Sequence, residues 1–364
     1  MPDVHFIGFV AAQYGSEIHA PAGPVIDRAY LRASAQAHEY GGFDRVLIAF
    51  HSTAPDSFAL AQYVASVTER IGLMIAHRPG FQAPTVAARQ LATLDQLTDG
   101  RAGVHIITGG NDAELAQDGD ALTKDERYAR TSEYLDLVKA SWTSPGPFDY
   151  DGRYYRVAKG FSAVKPVQQP HLPVYFGGSS EAAIAVAGKH ADTYALWGET
   201  QAQVRETIAR VRAAARVHGR EDRIRFSLSF RPILAATEDA AWARAEEILQ
   251  RTKALRAARG LGPAATPPNE GSRRLLAAAA KGDRLDRRLY TAIAAETGAQ
   301  GNSTALVGTP EQVAEALHEY HALGVTTFLI RGFDPLEDAV QYGRELIPAF
   351  RRLAGQAARH PAAA

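Results

Sequence analysis

Short apolar runs recur along the chain, and between them apolar residues return at every third or fourth position. The first pattern predicts buried strands and the second amphipathic helices. The stretch 85–110, TVAARQLATLDQLTDGRAGVHIITGG, shows both in succession. Ala87, Leu91 and Leu94 form a helical stripe that Leu97 or Thr98 continues. Asp99-Gly100 breaks it, with Gly100 suited to a left-handed cap. Val104 to Ile107 reads as a strand, and Thr108-Gly109-Gly110 opens a loop at its carboxyl end. The same reading predicts strands at 5–10, 46–49, 73–76, 173–176, 193–196, 224–234 and 327–330. Helices are expected from the cap Asp27 to about Tyr40, around Leu60-Val64-Val67, and at 125–142, 181–190 and 203–218. Val313-Leu317-Tyr320 and Leu336-Val340-Ile347-Phe350 mark two more, and 148–157 reads as a small hairpin around Asp151-Gly152.

Strands that alternate with helices in this way predict an α/β protein, a (β/α)8 TIM barrel; a doubly wound sheet shares the alternation. One barrel domain over 1–354 is expected. The rhythm fails at 235–303, between the seventh and eighth strands, which is too long for a simple crossover and reads as an insertion, a candidate lid. The Ala-rich end, 355–364, reads as a flexible tail, and the polar loop at 13–24 is long enough to be functional.

Composition narrows the chemistry. The 364 residues carry zero formal net charge, which favours neither nucleic acid nor an anionic membrane as partner. No cysteine is present, so disulfides, thiolate metal sites and a cysteine nucleophile are excluded together. The amino terminus has no basic segment before an apolar run, and no apolar run reaches membrane-spanning length; a cytoplasmic protein is the expectation.

The candidate chemistry sits at the carboxyl ends of the expected strands, where α/β folds place ligands. Gly177-Gly178-Ser179-Ser180 joins a strand to a helix and suits either a phosphate or a tight turn with a serine cap. No dinucleotide fingerprint and no P-loop occurs. His51 follows strand two, His77 and Arg78 strand three, and Arg331 strand eight, while Arg231 lies near the end of strand seven. A barrel would bring most of them to one mouth, where a guanidinium can clamp an anion. The alternative is ion pairing to neighbouring loops, Arg331 with Asp334 for instance. Trp197, ending strand six, suits a flat ligand or plain core packing. His318 and His321 have metal-like helical spacing but read as solvent-facing, without a third ligand nearby in sequence.

Four segments carry a resemblance: HRPGFQAPTVAARQLATLDQLTDGRAGVHIITG, DERYARTSEYLDLV, PVYFGGSS and TALVG. They resemble the bacterial luciferase-like flavin monooxygenases, and the most similar branch is the alkanesulfonate monooxygenases. The match runs in order along nearly the whole chain and is weakest in the insertion and at the ends. It implies a (β/α)8 barrel using reduced FMN, supplied by a separate NAD(P)H-dependent reductase, with O2 as co-substrate. In the sulfonate enzymes, oxygenation at the carbon bearing sulfur releases sulfite and leaves an aldehyde. The family's flavin contacts fall on Thr108, Tyr128, Gly178, Ser179, Ser180 and Trp197.

The substrate half departs from the family. Its cysteine after strand two falls on Ala54, its strand-seven histidine on Arg231, and the arginine two before it on Ser229. Its tyrosine in the last active loop falls on Phe333, beside an added Arg331. The arginine of its lid has no counterpart; Ala299 or Gln300 stands there. Cationic groups are moved rather than deleted, so an anionic substrate is expected. Arg231, Arg331 and His51 are the candidate catalytic residues, and His77, Arg78, Trp197, Arg231, Arg331 and Phe333 the candidate substrate contacts. The leading expectation is a two-component monooxygenase of an organosulfonate. The alternatives are oxygenation of a sulfone or ketone, a deazaflavin-dependent oxidoreductase, and a non-catalytic flavin-binding protein. The resemblance also implies a homodimer or homotetramer.

Overall fold

The computed structural model describes residues 4–261 and 269–359, with side chains described as far as 355; the part of the expected insertion at 262–268 and the end of the expected tail, 360–364, lie outside the described residues. The strands are β1 (His5–Val10), β2 (Arg45–Ile48), β3 (Gly72–His77), β4 (Ala102–Ile106), β5 (Phe148–Asp151), β6 (Arg156–Gly160), β7 (Val174–Gly177), β8 (Thr193–Trp197), β9 (Arg225–Leu234), β10 (Arg284–Leu285), β11 (Leu289–Tyr290), β12 (Ala305–Gly308) and β13 (Thr327–Ile330). The helices are α1 (Arg28–Tyr40), α2 (Ser57–Ser66), α3 (Pro84–Leu97), α4 (Asp112–Gln117), α5 (Lys124–Thr143), α6 (Glu181–His190), α7 (Gln201–Arg216), α8 (Glu238–Ala258), α9 (Glu270–Ala279), α10 (Ala292–Thr297), α11 (Pro310–Ala322), α12 (Pro335–Gln341) and α13 (Ile347–Arg359), the last two joined by a π-helical turn, Tyr342–Leu346.

The eight strands expected from the sequence are all present. They pair in the order β13-β1-β2-β3-β4-β7-β8, and β9 pairs with both β8 and β13, so the succession closes as a (β/α)8 barrel. β5 and β6 form the expected hairpin, a separate antiparallel pair. The helix start at Asp27 is as expected, its carboxylate accepting from Ala29 N and Tyr30 N. Gly100 ends α3 at φ 85°, with Asp99 beside it at φ 51°. The closing helix continues through Gly355 to Arg359.

β9 is long because it serves two partners. Ser227 to Phe230 pair with β13, and Arg231 to Leu234 pair with β12. β12, read in the sequence only as part of a family motif, carries β11 and β10 on its far side. Arg231 is the first residue beyond the fork.

By internal contacts the chain forms two compact units, one of Met1–Val46, Ala195–Ile208 and Arg225–Ala364, the other of Leu47–Tyr194 and Ala209–Ile224. In the second unit the strand register sorts side chains onto two faces. His77, Ile106 and Phe176 stand abreast on the face that meets α5, where Phe176 packs on Tyr128 and His77 on Tyr134. Ala76, His105 and Tyr175 stand abreast on the opposite face. In the first unit, Phe350 of α13 packs edge to face on both Phe6 and Phe328 of the sheet. A second core gathers Ile18, Ile233, Ile248, Leu249, Ile293 and Phe333.

Candidate active site

The second unit holds the turn that the sequence singled out. Ser180 caps α6, its Oγ accepting from Ala183 N at 3.3 Å, so the serine-cap reading of this turn is present. Gly178 stands at φ +141°, and a Cβ there would lie 2.8 Å from Ala183 Cβ and 3.1 Å from the Tyr128 hydroxyl. Tyr128 reaches from α5 and hydrogen-bonds Ser180, and the Tyr194 hydroxyl donates to Gly178 O. Burial raises the Tyr128 phenol, so it acts as a neutral hydroxyl. One turn along α5, Thr131 hydrogen-bonds Thr108 at 3.3 Å. The Thr108–Thr131 pair thus sits one turn of α5 from the contact between Tyr128 and Ser180 at the α6 N-terminus, and Ser179 is part-buried beside Ser180. Glycine at 178 leaves a cradle that any side chain would fill. The donor set suits a phosphate, and the residues present fit the phosphate end of FMN.

His77 and Arg78 were expected to serve the same mouth; His77 ends β3 and packs toward α5, while Arg78, just past the strand, turns to Ser52 and Glu114. His77 Nε2 lies 2.6 Å from the Tyr134 hydroxyl, in the layer between β3 and α5. Burial lowers its pKa to about 4, which makes it a neutral imidazole packed on Tyr134, with part of the residue still exposed. Arg78 is 3% exposed, bonded to Ser52 Oγ at 3.1 Å and Glu114 Oε1 at 2.9 Å. The Phe50 ring lies 4.8 Å from its guanidinium. His51 is open to solvent, its Nδ1 3.8 Å from Glu114 Oε1. These charges bind one another, which gives Arg78 a structural load the sequence did not indicate. Ala54 lies in the turn after His51.

The first unit holds a three-charge cluster built on one buried arginine. Arg231 is fully buried and donates to both Glu17 oxygens, at 2.9 and 2.8 Å. Its remaining donors reach the carbonyls of Arg331 at 3.1 Å and Gly332 at 2.7 Å. The Phe333 ring lies 3.9 Å from its guanidinium carbon, and Phe333 is itself buried in the core. Arg231 and Phe333 thus have no surface to offer a substrate. They fill the fork where β13 leaves β9. Arg331 gives one bond to Glu17 Oε1, 2.7 Å, rests on Phe9, and keeps 29% of its side chain exposed.

Burial alone would raise the Glu17 carboxyl; the fields of Arg231 and Arg331 outweigh it and hold it well below the usual range. Burial, then repulsion from Arg231, lowers Arg331 to about 10, with Glu17 opposing; it stays charged at neutral pH. The cluster carries two positive charges and one negative, and the surplus sits on the one arginine with an exposed edge. Asp334, the neighbour expected for Arg331, binds His19 at 2.6 Å and Arg244 at 3.1 Å instead.

Trp197 packs beneath α9, where a Cβ on Gly271 would come within 2.8 Å of its ring, beside Leu275, Ala294 and Ala299. His318 and His321 do not face open solvent as expected. Their rings lie 6.0 Å apart against Phe350, and His321 Nδ1 bonds Val325 O at 2.8 Å. Among the described residues no group of three His, Cys, Asp or Glu is placed to hold a metal, and no helix is long and apolar enough to cross a membrane.

The family model of the luciferase-like monooxygenases matches residues 4–327. The chain belongs to the luciferase-like monooxygenase family. It is similar to the structure of riboflavin lyase (RcaE) with modified FMN and riboflavin, at 22% identity and TM-score 0.80, over 97% of this chain and 92% of that one. It is similar to EDTA monooxygenase (EmoA) from Chelativorans sp. BNC1, at 21% identity and TM-score 0.77, over 96% and 94%. Long-chain alkane monooxygenase (LadA) aligns at 19% identity and TM-score 0.77, over 97% and 92%. At these identities the likeness speaks for the fold.

Proposed function

We propose that the chain is a two-component monooxygenase that takes reduced FMN from a separate NAD(P)H-dependent reductase and uses O2 to oxygenate a small organic anion. The leading substrate class is an organosulfonate, oxygenated at the carbon bearing sulfur to give sulfite and an aldehyde. The observation that carries the anion is Arg331, the part-exposed cation of a cluster whose net charge is positive. Support for the flavin comes from Gly178, Tyr128, Ser180 and Thr108, together with the family.

Bound reduced flavin supplies the electrons that activate oxygen. The protein's part is to hold and orient. Tyr128, Ser180 and the α6 N-terminus bind the phosphate through neutral donors and the helix dipole. Arg331 holds the anionic head by a charge-assisted bond. Arg231 and Glu17 keep the Arg331 backbone and side chain in place. His51, open to solvent, is retained as a candidate contact, and Trp197 as a wall packed by α9.

The test couples the protein to an FMN reductase and follows oxygen uptake and sulfite with a panel of sulfonates. Sulfite release matched to oxygen consumption supports the reading. Oxygen-independent turnover with reduced deazaflavin moves the protein to hydride transfer, and flavin binding without substrate-dependent oxygen use leaves a flavin-binding protein.

A further inference from the structure

Arg331 also lines a cavity of the first unit. It lies between the ends of β1 and β13 on one side and α1, α12 and the π-helical turn on the other. Its space is about 410 Å³, the open mouth included. Phe9, Ile330 and Ala339 give it apolar walls, and His38 lines it from α1.

His38 is 2% exposed, and its ring is clamped. Nδ1 lies 2.7 Å from Ser34 O, one turn back along the helix. Phe43 packs edge to face at 4.7 Å, and a Cβ on Gly8 would collide with the imidazole, so the glycine makes room for it. A carbonyl oxygen only accepts, so Nδ1 carries a proton and donates it. Burial lowers the imidazole to about 4, which leaves it neutral near pH 7, with no second proton. Nε2 is therefore a bare acceptor, and among the described residues it has no donor. Buried polar groups of this kind are ordinarily paired.

The cavity thus offers two unlike polar groups. The Arg331 guanidinium only donates and is charged; His38 Nε2 only accepts and is neutral. An ammonium group placed at His38 would meet the net positive charge of the Glu17–Arg231–Arg331 cluster, whereas a hydroxyl carries a proton without a charge.

We propose that this cavity holds the substrate and that His38 Nε2 accepts a hydrogen bond from a substrate hydroxyl, which makes the substrate a short hydroxylated anion of the hydroxyalkanesulfonate class. The proposal rests on the reading of Arg331 as the anion's contact.

Anaerobic calorimetric titration with photoreduced FMN present tests it on two matched pairs. Hydroxyethanesulfonate is compared with propanesulfonate, and terminally hydroxylated propanesulfonate with butanesulfonate; in each pair a methyl group stands in for the hydroxyl. Wild type should favour the hydroxylated member of at least one pair by about tenfold, the value of one net hydrogen bond. His38→Leu should lose that preference, and His38→Gln, which keeps an acceptor, should retain most of it. Sulfonates that bind wild type with no preference in either pair overturn the proposal and leave the sulfonate reading standing. A preference that survives in a folded leucine variant overturns it as well. If none of the four sulfonates binds, both readings fall. Should the leucine variant not fold, imidazole ¹⁵N spectra of wild type, assigned with His38→Gln, decide. The His38 Nε2 signal should move with the hydroxylated ligand and not with its match, and an unmoved signal overturns the proposal.

Discussion

At the fork where β13 leaves β9, two arginines share one carboxylate and differ in what they leave open. Arg231 is enclosed, and its removal takes away both of its bonds to Glu17, leaving that carboxylate to Arg331 alone of the two arginines, and deprives two carbonyls of their guanidinium donor. Arg231→Met should lower stability by about 3–5 kcal/mol, the cost typical of breaking a buried charge pair, in chemical denaturation. Arg331→Met leaves the Arg231–Glu17 pair intact. It should raise substrate KM or cut sulfite release at least about tenfold with little change in the denaturation midpoint. Unchanged kinetics would remove Arg331 from the substrate site. Because Arg331 is lowered to about 10, anion affinity should hold through neutral pH and weaken as pH rises past that value, where the positive charge is lost. Both arginines were legible as residues at strand ends. Glu17 was not: it lies in a loop without periodicity, and its partner is 214 positions away.

Among the elements, the turn into α6 combines a backbone requirement with a cap. Gly178→Ala should impair FMN binding, since a Cβ meets both Ala183 and the Tyr128 hydroxyl. Ser180→Ala should cost about 1 kcal/mol of stability through the lost cap and weaken FMN binding as well. Thermal melts and titrations of the two variants separate these effects. The eight barrel strands and most helices could be read from the chain because buried parallel strands are nearly continuous apolar runs and amphipathic helices carry a 3.6-residue stripe. α4 was missed because six residues show too little of that stripe. β10 and β11 are two residues each, and β12 is a four-residue run whose pairing with the far half of β9 no local pattern announces.

For the whole molecule, the family and the barrel rest on the chain from residue 4 to 327, while the substrate class rests on one part-exposed arginine. The chain also holds His38, His77 and His105 neutral, each lowered by burial to about 4. In the unfolded chain they titrate near 6.5, so between about 6.5 and 4 the unfolded state binds more protons. The stability this contributes is present above about pH 6.5 and is lost as pH falls toward 4. Melting temperatures should drop across that window, and a flat profile would show that these histidines are not held neutral.

The most direct measurement of the central claim is anaerobic binding of reduced FMN against riboflavin and a reduced deazaflavin, followed by tryptophan fluorescence. Reduced FMN should bind most tightly, riboflavin should bind more weakly for want of the phosphate, and Gly178→Ala should remove that difference. Preference for the deazaflavin, or equal binding of FMN and riboflavin, would contradict it.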